Sequence, residues 1–433
     1  MTKNTIRHVP KARPCGGRPH LWFGFPVRAM PIVLAALVGL AGCGKPPTWN
    51  ELVNGKQKET PPAPTVAKAT IQTPAPVLPP KAPEKPKRLA QEVIAEFNAT
   101  PSERRTDAQL IELASNPEAA DQFTVLNLNS SGVSGGMAVL PKFEHVETLL
   151  INNCQYGNGA LANIAKMKSL TTLSMNGGVL REPNCDTGLA AIKEMHQLTS
   201  LSLEGANVTP AGLAHIATMV WLESLNVART RFNDDNLKIL APLVNLKELN
   251  ISFTTVSDNG FQYLLPFHEL ETLKIATVPI RGEGLKELGR LGAFPKLRNL
   301  VMFGNAHLEL TAYEGVYSFR KSLESLDVGA AVLDDNRFLN AVAPLSKLER
   351  LLVQENPTLS DAAMKGLPKL RKLKTLYFWK NPGIGDGSLP QMAKLKSLEN
   401  LTIDLTSCSE AGVHQLKKRL KNCEISFNGK KIE

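Results

Sequence analysis

A serine in a glycine-rich turn has the setting that most resembles catalytic chemistry in this sequence. Residues 132–136 read Gly-Val-Ser-Gly-Gly and match G-x-S-x-G, the pattern that places a nucleophilic serine on a sharp turn after a strand. The pattern is short, and no histidine and acid can be assigned to Ser134 as a triad. A turn that simply ends a strand explains the same residues. We therefore expect no catalytic residue and no enzyme, and a serine hydrolase acting through Ser134 is the distant alternative.

The six cysteines are the other potentially reactive groups. Cys408 and Cys423 fall at positions predicted to face inward near the C-terminal end. They are either small core residues or a disulfide, which an oxidising compartment would permit, and we favour the core interpretation. Cys154 falls at a turn position where cysteine is accepted, Cys15 belongs to an N-terminal leader, and Cys185 receives no role.

Metal and cofactor motifs are absent from the sequence. It contains no H-E-x-x-H, no phosphate-binding loop, no dinucleotide fingerprint and no C-x-x-C pair. The acidic pairs Asp234-Asp235 and Asp334-Asp335 precede helical segments, where helix capping explains them. We therefore expect neither a metal nor a cofactor.

An apolar run near the N-terminus predicts export. Residues 30–42 follow Arg28 and are too few to span a bilayer, which needs about 20 residues. The string Leu40-Ala41-Gly42-Cys43 resembles the lipobox of bacterial lipoproteins. That resemblance implies a signal peptide over 1–42, cleavage before Cys43, and diacylation of the Cys43 sulfur. An uncleaved signal anchor is the alternative.

The predicted destination is the bacterial cell envelope, lipid-anchored to a membrane. Gly44, where an Asp would signal inner-membrane retention, favours the outer membrane or the cell surface. Residues 44–88 contain eleven prolines and few large apolar residues, which is typical of an extended, disordered segment. We therefore interpret 43–88 as a lipidated cysteine followed by a proline-rich tether.

The charge distribution argues against nucleic acid as a partner. The chain carries a formal net charge of +10, yet the basic excess lies in the leader and the tether, and residues 89–433 carry a net charge of −1. A nucleic-acid footprint should lie on the folded domain.

One apolar pattern recurs through the rest of the chain. Apolar-x-x-apolar-x-apolar appears twelve times at spacings of 23 to 28 residues, beginning at Phe123, Val146, Leu170, Leu198, Leu222, Leu246, Leu270, Leu297, Leu323, Leu348, Leu373 and Leu398. Its length and form resemble the leucine-rich repeat. The resemblance implies an α/β fold: a leucine-rich-repeat solenoid, or horseshoe, of about 12 repeats with a parallel concave sheet and convex helices.

The boundaries of the solenoid follow from where the pattern starts and stops. Residues 89–121 are predicted as an N-terminal helical cap, with a capping box at Thr106, and 122–415 as the repeats. Residues 416–433 are the C-terminal cap, in which Leu420-x-x-Cys423-x-Ile425 looks like a truncated thirteenth copy.

The second halves of the repeats resemble a subclass of this family. The segments 208–216 and 256–264 place a cap, a glycine and apolar residues in the order seen in the helix-bearing, F-box-associated or GALA-like leucine-rich repeats. Thr209 and Ser257 are the expected N-caps. The resemblance is specific for fold and says little about the ligand.

Strand parity predicts where a partner would bind. The last two apolar residues of each pattern point into the core, so the strand residues between and beside them face the concave side. In the first six repeats these residues are small and polar. Toward the C-terminus they become apolar and aromatic, with two polar neighbours. We call this set the concave patch: Val301, Phe303, Arg350, Leu352, Gln354, Tyr377 and Trp379.

Exposed aromatic and apolar residues on neighbouring strands favour a binding surface, since Tyr, Trp and Arg are enriched at binding hot spots. The competing explanations are that a C-terminal extension or a dimer contact covers the patch, or that the strand register is wrong by one residue and these side chains are core. We expect a membrane-anchored, non-catalytic module that recognises a protein, or an envelope glycan, on its concave face. The alternative is an envelope scaffold that acts by self-association.

Overall fold

The computed structural model describes residues 88–177 and 184–433, together with the backbone of 179–180. The leader, Cys43 and most of the tether therefore lie outside the described residues. Residues 83–433 form one compact unit. Within the described part, no helix combines the length and hydrophobicity that crossing a membrane requires.

Short helices occupy the segment predicted as the N-terminal cap. They are α1 (Ala90–Ala99), a 3-10 turn (Ser102–Arg104), α2 (Asp107–Ala114) and α3 (Pro117–Ala120). Thr106 forms the predicted capping box with Gln109 at the start of α2. Phe97 of α1 meets Phe123 of the first repeat edge-on, with ring centroids 5.6 Å apart. The cap therefore continues the repeat core instead of leaving it open to solvent.

One long sheet carries the repeats. The strands, numbered along the chain, are β1 (Val125–Asn127), β2 (Thr148–Leu150), β3 (Gln155–Tyr156), β4 (Thr172–Ser174), β5 (Val179–Leu180), β6 (Ser200–Ser202), β7 (Ser224–Asn226), β8 (Glu248–Asn250), β9 (Thr272–Lys274), β10 (Asn299–Val301), β11 (Ser325–Asp327), β12 (Arg350–Gln354), β13 (Thr375–Trp379), β14 (Asn400–Asp404), β15 (Glu424–Phe427) and β16 (Lys430–Ile432). Fourteen of them form the sheet in chain order, while β3 and β5 pair separately. Neighbours are parallel up to β15, and only β16 returns antiparallel.

Helical segments of varied type return the chain along the other side. The α-helices are α4 (Asn158–Ile164), α5 (Asp186–Ile192), α6 (Pro210–Ala217), α7 (Asp234–Ile239), α8 (Glu283–Arg290), α9 (Leu310–Ser318), α10 (Asp335–Arg337), α11 (Leu389–Met392) and α12 (Glu410–Arg419). Four 3-10 segments replace or extend them: Gly135–Lys142, Gly260–Leu264, Ala363–Lys369 and Asp386–Ser388. A π-helical segment, Phe338–Val342, follows α10. Strands lie about 4.8 Å apart and helices need about 10 Å, so the stack must curve with its sheet on the concave side.

The apolar residues of the repeat pattern form a single hydrophobic core. All twelve first positions of the pattern are buried, and so are inward pairs such as Leu201 with Leu203 and Leu249 with Ile251. Equivalent leucines pair across neighbouring strands, as Leu201 does with Leu225. Each repeat thus covers the apolar face of the one before it, which confirms the predicted α/β leucine-rich-repeat solenoid.

A residue with left-handed backbone dihedral angles follows each strand of the repeats. It lies seven residues after the first position of the pattern, and only three of the twelve are glycine. In three repeats the very next residue is a buried asparagine that holds the turn. Asn356, for example, donates to the carbonyls of Val328 at 2.9 Å and Gln354 at 3.0 Å and accepts from Leu333 N at 2.9 Å. Asn305 and Asn381 are buried in the same role.

Aspartates at the helix starts connect successive repeats. Asp234, at the start of α7, accepts from Ser257 N at 2.7 Å and from Ser257 Oγ at 2.6 Å in the next repeat. We call this contact the aspartate interlock, and it recurs at Asp107, Asp186, Asp258, Asp335, Asp361 and Asp386. A Cβ on Gly260 would lie 2.3 Å from Asp234 Oδ1, which explains a glycine three residues after the Ser.

The predicted N-caps Thr209 and Ser257 both lie in interlocks. Thr209 caps α6 by accepting from Ala211 N at 3.3 Å. Ser257 accepts from Asn259 N at 3.2 Å, but the helix that follows begins only at Gly260 and is 3-10.

The C-terminal end corrects two sequence predictions. Helix α12 runs from Glu410 to Arg419 and crosses the predicted boundary between repeats and cap at 415/416. The thirteenth copy is displaced by two residues, because Leu401 pairs with Ile425 and not with Cys423. The extra length of α12 delays the strand to Glu424. The shift is even, so Ile425 and Phe427 still point inward.

Candidate functional site

The concave face is a grid of side chains fixed by the parallel register. Across β10 to β13 one row runs Val301, Asp327, Leu352, Tyr377, since the register pairs Val301 with Asp327, Asp327 with Leu352, and Leu352 with Tyr377. Two residues further along, Gln354 pairs with Trp379, which pairs with Asp404. The alternate residues of these strands are buried, so the predicted parity is correct.

The N-terminal half of this face is polar, and its asparagine oxygens are already engaged by neighbouring repeats. Asn152 Oδ1 accepts from Ser174 Oγ and from Asn176 N, both at 2.7 Å. Asn176 Oδ1 in turn accepts from Ser202 Oγ at 2.5 Å and from Glu204 N at 3.0 Å. These side chains cap the strand ends of the neighbouring repeat. A partner would have to break these bonds before it could use them.

The seven residues of the concave patch do lie together on the C-terminal half of the face. Arg350 is exposed, and the others are half-buried and reach the surface: Val301, Phe303, Leu352, Gln354, Tyr377 and Trp379. Within the described chain no segment covers them fully. Lys380 holds its ammonium 5.5 Å from the Trp379 ring centroid and 3.5 Å from Glu355.

One residue of this surface, Asp327, and one that lies beneath it, Gly329, are missing from the predicted set. Asp327 lies between Val301 and Leu352 in the grid, and its Oδ1 accepts from Gly329 N at 3.0 Å. Burial raises the pKa of this carboxyl above its ordinary value. Gly329 is buried beneath the side chain of Gln354, whose Cδ would lie 2.4 Å from a Cβ at that position. The strand parity already used for Val301 and Leu352 also indicates Asp327.

An exposed aromatic residue lies at the edge of the concave face in the middle repeats. Phe253, which has a positive φ and is 38% exposed, lies under the guanidinium of Arg229 at 3.9 Å. Arg229 also pairs with Glu204 at 3.1 Å. Phe253, Arg229 and Glu204 thus already contact one another, so the concave patch remains the better candidate for binding a partner.

The geometry around Ser134 does not support nucleophilic catalysis. The Ser134 and Gly136 N–H groups donate to Asp107 Oδ1 at 2.8 Å, and Gly135 N donates to Asp107 Oδ2 at 3.2 Å. In a nucleophile elbow the N–H after the serine serves the oxyanion hole. Here that N–H, on Gly135, already donates to the Asp107 carboxylate. The glycine-rich turn is the first aspartate interlock.

The cysteines of the described chain are free thiols in buried positions. Cys408 and Cys423 are not joined: Cys408 Sγ contacts the carbonyl of Ile384, and Cys423 Sγ contacts that of Glu424. Burial raises the pKa of Cys423 to about 11. Cys154 donates to Leu128 O at 2.9 Å at the predicted turn. Cys185, left unassigned by sequence, is a buried residue at the start of α5 whose burial raises its pKa to about 12.

The acidic pairs serve helices and neighbouring repeats. Asp334 accepts from Arg337 N at 2.8 Å within its own repeat, and Asp335 accepts from Ser360 N at 2.7 Å in the next. Among the residues with described positions, no cluster of His, Cys, Asp and Glu could hold a metal ion.

A groove on the helical side is a weaker candidate than the concave patch. It measures about 360 Å³ and lies between the 3-10 segment Gly260–Leu264 and α8. Its acidic wall includes Asp258, whose oxygens already accept from Arg281 N at 2.7 Å and Gly282 N at 3.0 Å.

Comparisons with solved structures give bacterial leucine-rich-repeat proteins. An internalin from Listeria monocytogenes is 18% identical, with 72% of this chain and 88% of that one covered and a TM-score of 0.45. A leucine-rich-repeat protein of Leptospira interrogans is 18% identical, covering 70% and 83%, with a TM-score of 0.36. Internalin C2 from L. monocytogenes is 16% identical, covering 60% and 96%, with a TM-score of 0.37. No family model and no curated protein sequence matches this chain.

Proposed function

We propose that this chain is a membrane-anchored, non-catalytic recognition module that binds a protein partner through the concave patch. The observation that carries the proposal is the contrast along one face. Its N-terminal half is polar and already engages its asparagine oxygens in hydrogen bonds between repeats, whereas its C-terminal half leaves aromatic and apolar side chains at the surface. Aromatic rings on neighbouring rigid strands lose little conformational freedom on binding, which favours them as anchors.

The anchor is supported by sequence alone. The apolar run 30–42 and the Leu-Ala-Gly-Cys string ending at Cys43 support an exported lipoprotein of the bacterial envelope. Diacylation gives stable attachment where a single acyl chain is marginal. The proline-rich segment 44–88 would then hold the solenoid away from the membrane.

The test is a cross-linking pull-down from an envelope extract with residues 83–433 as bait. The wild type is compared with a Tyr377→Ala, Trp379→Ala variant. The matched control is Ser200→Ala, Ser224→Ala, which removes two polar side chains from the other half of the same face. Thermal unfolding must first show that all three proteins have the same stability.

A protein band that the aromatic variant loses and the serine variant keeps supports the proposal. A band kept by both variants places the binding site elsewhere on the solenoid. Bait cross-linked only to itself favours a self-associating scaffold, and a carbohydrate retained only by the wild type and the serine variant favours an envelope glycan.

A further inference from the structure

Asp327 is a carboxylate with apolar neighbours on both sides at the centre of the concave patch. Val301 and Leu352 flank it in the register. The desolvation of this carboxyl outweighs the stabilising effect of its hydrogen bonds and of the nearby Arg350 charge, so its pKa is raised. Oδ1 accepts from Gly329 N at 3.0 Å and from Gln354 Nε2 at 3.4 Å. Oδ2 has no hydrogen-bond partner among the described residues.

The neighbouring amide carries a second acceptor without a donor. Gln354 lies flat over Gly329, and its Oε1 is buried and makes no hydrogen bond. Exchanging the amide oxygen and nitrogen would turn the oxygen toward the Asp327 carboxylate, so the orientation is fixed. A buried acceptor left unpaired is costly, and Gln354 Oε1 is such an acceptor, next to a half-buried carboxylate.

We propose that Asp327 and Gln354 form a subsite for a cationic side chain, an arginine above all, of the protein partner. This inference rests on the proposed function and specifies its chemistry. A guanidinium offers five N–H donors in one plane, enough to serve Asp327 Oδ2 and, after a small shift, Gln354 Oε1. Phe303 directly precedes Gly304, which bonds to Gly329, and Tyr377 pairs with Leu352, two residues before Gln354. Aromatic surface on both sides suits a cation with an apolar stem.

Arg350 does not already fill this subsite. It lies on the neighbouring strand, is exposed, and lowers the pKa of Asp327 by its charge, yet it forms no ion pair with it. Its charge partly neutralises the carboxylate in the free protein and should oppose an incoming cation. Replacing Arg350 should therefore strengthen cation binding, whereas replacing Asp327 should weaken it.

The experiment selects a displayed library of random peptides on residues 83–433. The baits are the wild type, Asp327→Asn, Arg350→Gln and Trp379→Ala, with Glu248→Gln as control. Glu248 is a carboxylate on the same face, already paired with Lys274 at 2.6 Å. Asp327→Asn keeps an acceptor for Gly329 N and removes a poorly solvated charge, so we expect it to fold.

The expected wild-type pool carries one Arg among apolar residues and depends on Trp379. These peptides should bind Asp327→Asn about tenfold more weakly, because one charge-assisted contact is lost. They should bind Glu248→Gln unchanged and Arg350→Gln more tightly. Trp379-dependent peptides that show no Arg preference, or the same preference on Asp327→Asn, would overturn the subsite but leave the proposed function standing. An acidic pool that requires Arg350 would also overturn it. Peptides indifferent to Trp379 would contradict both.

Discussion

The aspartate interlock should make one carboxylate of an adjacent pair far more important than the other. Asp234 and Asp235 both lie in the first turn of α7, so both interact favourably with the helix dipole. Only Asp234 reaches Ser257 in the next repeat, by two hydrogen bonds of 2.7 Å and 2.6 Å. Asp235 is exposed. Asp235→Ala is therefore an internal control for Asp234→Ala.

The magnitude follows from the contacts. Removing either charge from the first turn costs about 0.3–1 kcal/mol. Asp234→Ala also removes two charge-assisted hydrogen bonds, and because Asp234 is half-buried, water replaces part of each. We expect a further loss of about 1.5–2 kcal/mol in the free energy of unfolding.

Urea unfolding of residues 83–433, followed by circular dichroism, measures the difference. Hydrogen exchange at the Ser257 amide gives a local readout, and it should accelerate in Asp234→Ala only. A cycle that adds Ser257→Ala should show coupling of at least 0.5 kcal/mol, the range for residues in contact. Equal losses for Asp234→Ala and Asp235→Ala, with unchanged exchange at Ser257, would refute the interlock.

Four further expectations follow from the structure. Asn356→Ala should lower the free energy of unfolding in urea by about 2–4 kcal/mol, because it leaves the buried Val328 carbonyl and Leu333 N–H unpaired. A loss smaller than that of the exposed control Asn340→Ala would contradict the role of Asn356 in the turn. Asp327→Asn should stabilise the protein at pH 7 and lose that advantage toward pH 3. The reason is that a raised carboxyl pKa means that the charged form of Asp327 destabilises the folded state. A variant less stable than the wild type at pH 7 would argue against this. Asp386 should behave in the opposite way, because the Ser409 hydroxyl and N–H lower its pKa. Its stabilising effect should fade as the pH falls below about 4, and Asp386→Asn should make the stability of the protein less dependent on pH in that range. The four thiols of residues 83–433 should resist a thiol reagent at pH 8 and react together on unfolding. Fewer than four reactive thiols after denaturation without a reductant would instead indicate a disulfide.

The fold could be predicted because a solenoid repeats one local rule. The pattern that begins at Leu198 recurs at Leu222 and Leu246, and the period alone sets the parallel register. Its last copy was misplaced by two residues, since apolar Leu420 and Cys423 imitate the pattern while α12 is still ending. Local patterns cannot show where a longer helix delays a strand.

The site was predictable in position but not in chemistry. Parity placed Tyr377, Trp379 and Leu352 on the surface, and it could also have placed Asp327. The contact of Gln354 with Gly329 and Asp327 joins residues 25 to 27 positions apart, so no local spacing reveals it. The aspartate interlocks were read only as helix caps for the same reason.

Recognition through the concave patch can be tested by site-specific photo-cross-linking in cells that make this protein. A photoreactive phenylalanine analogue is placed at Tyr377 in one variant and at Asn226, in the polar half of the same face, in the other. We expect a discrete adduct with another protein from position 377 and none from position 226. An adduct from 226 alone, or equal adducts from both, would contradict recognition through the concave patch.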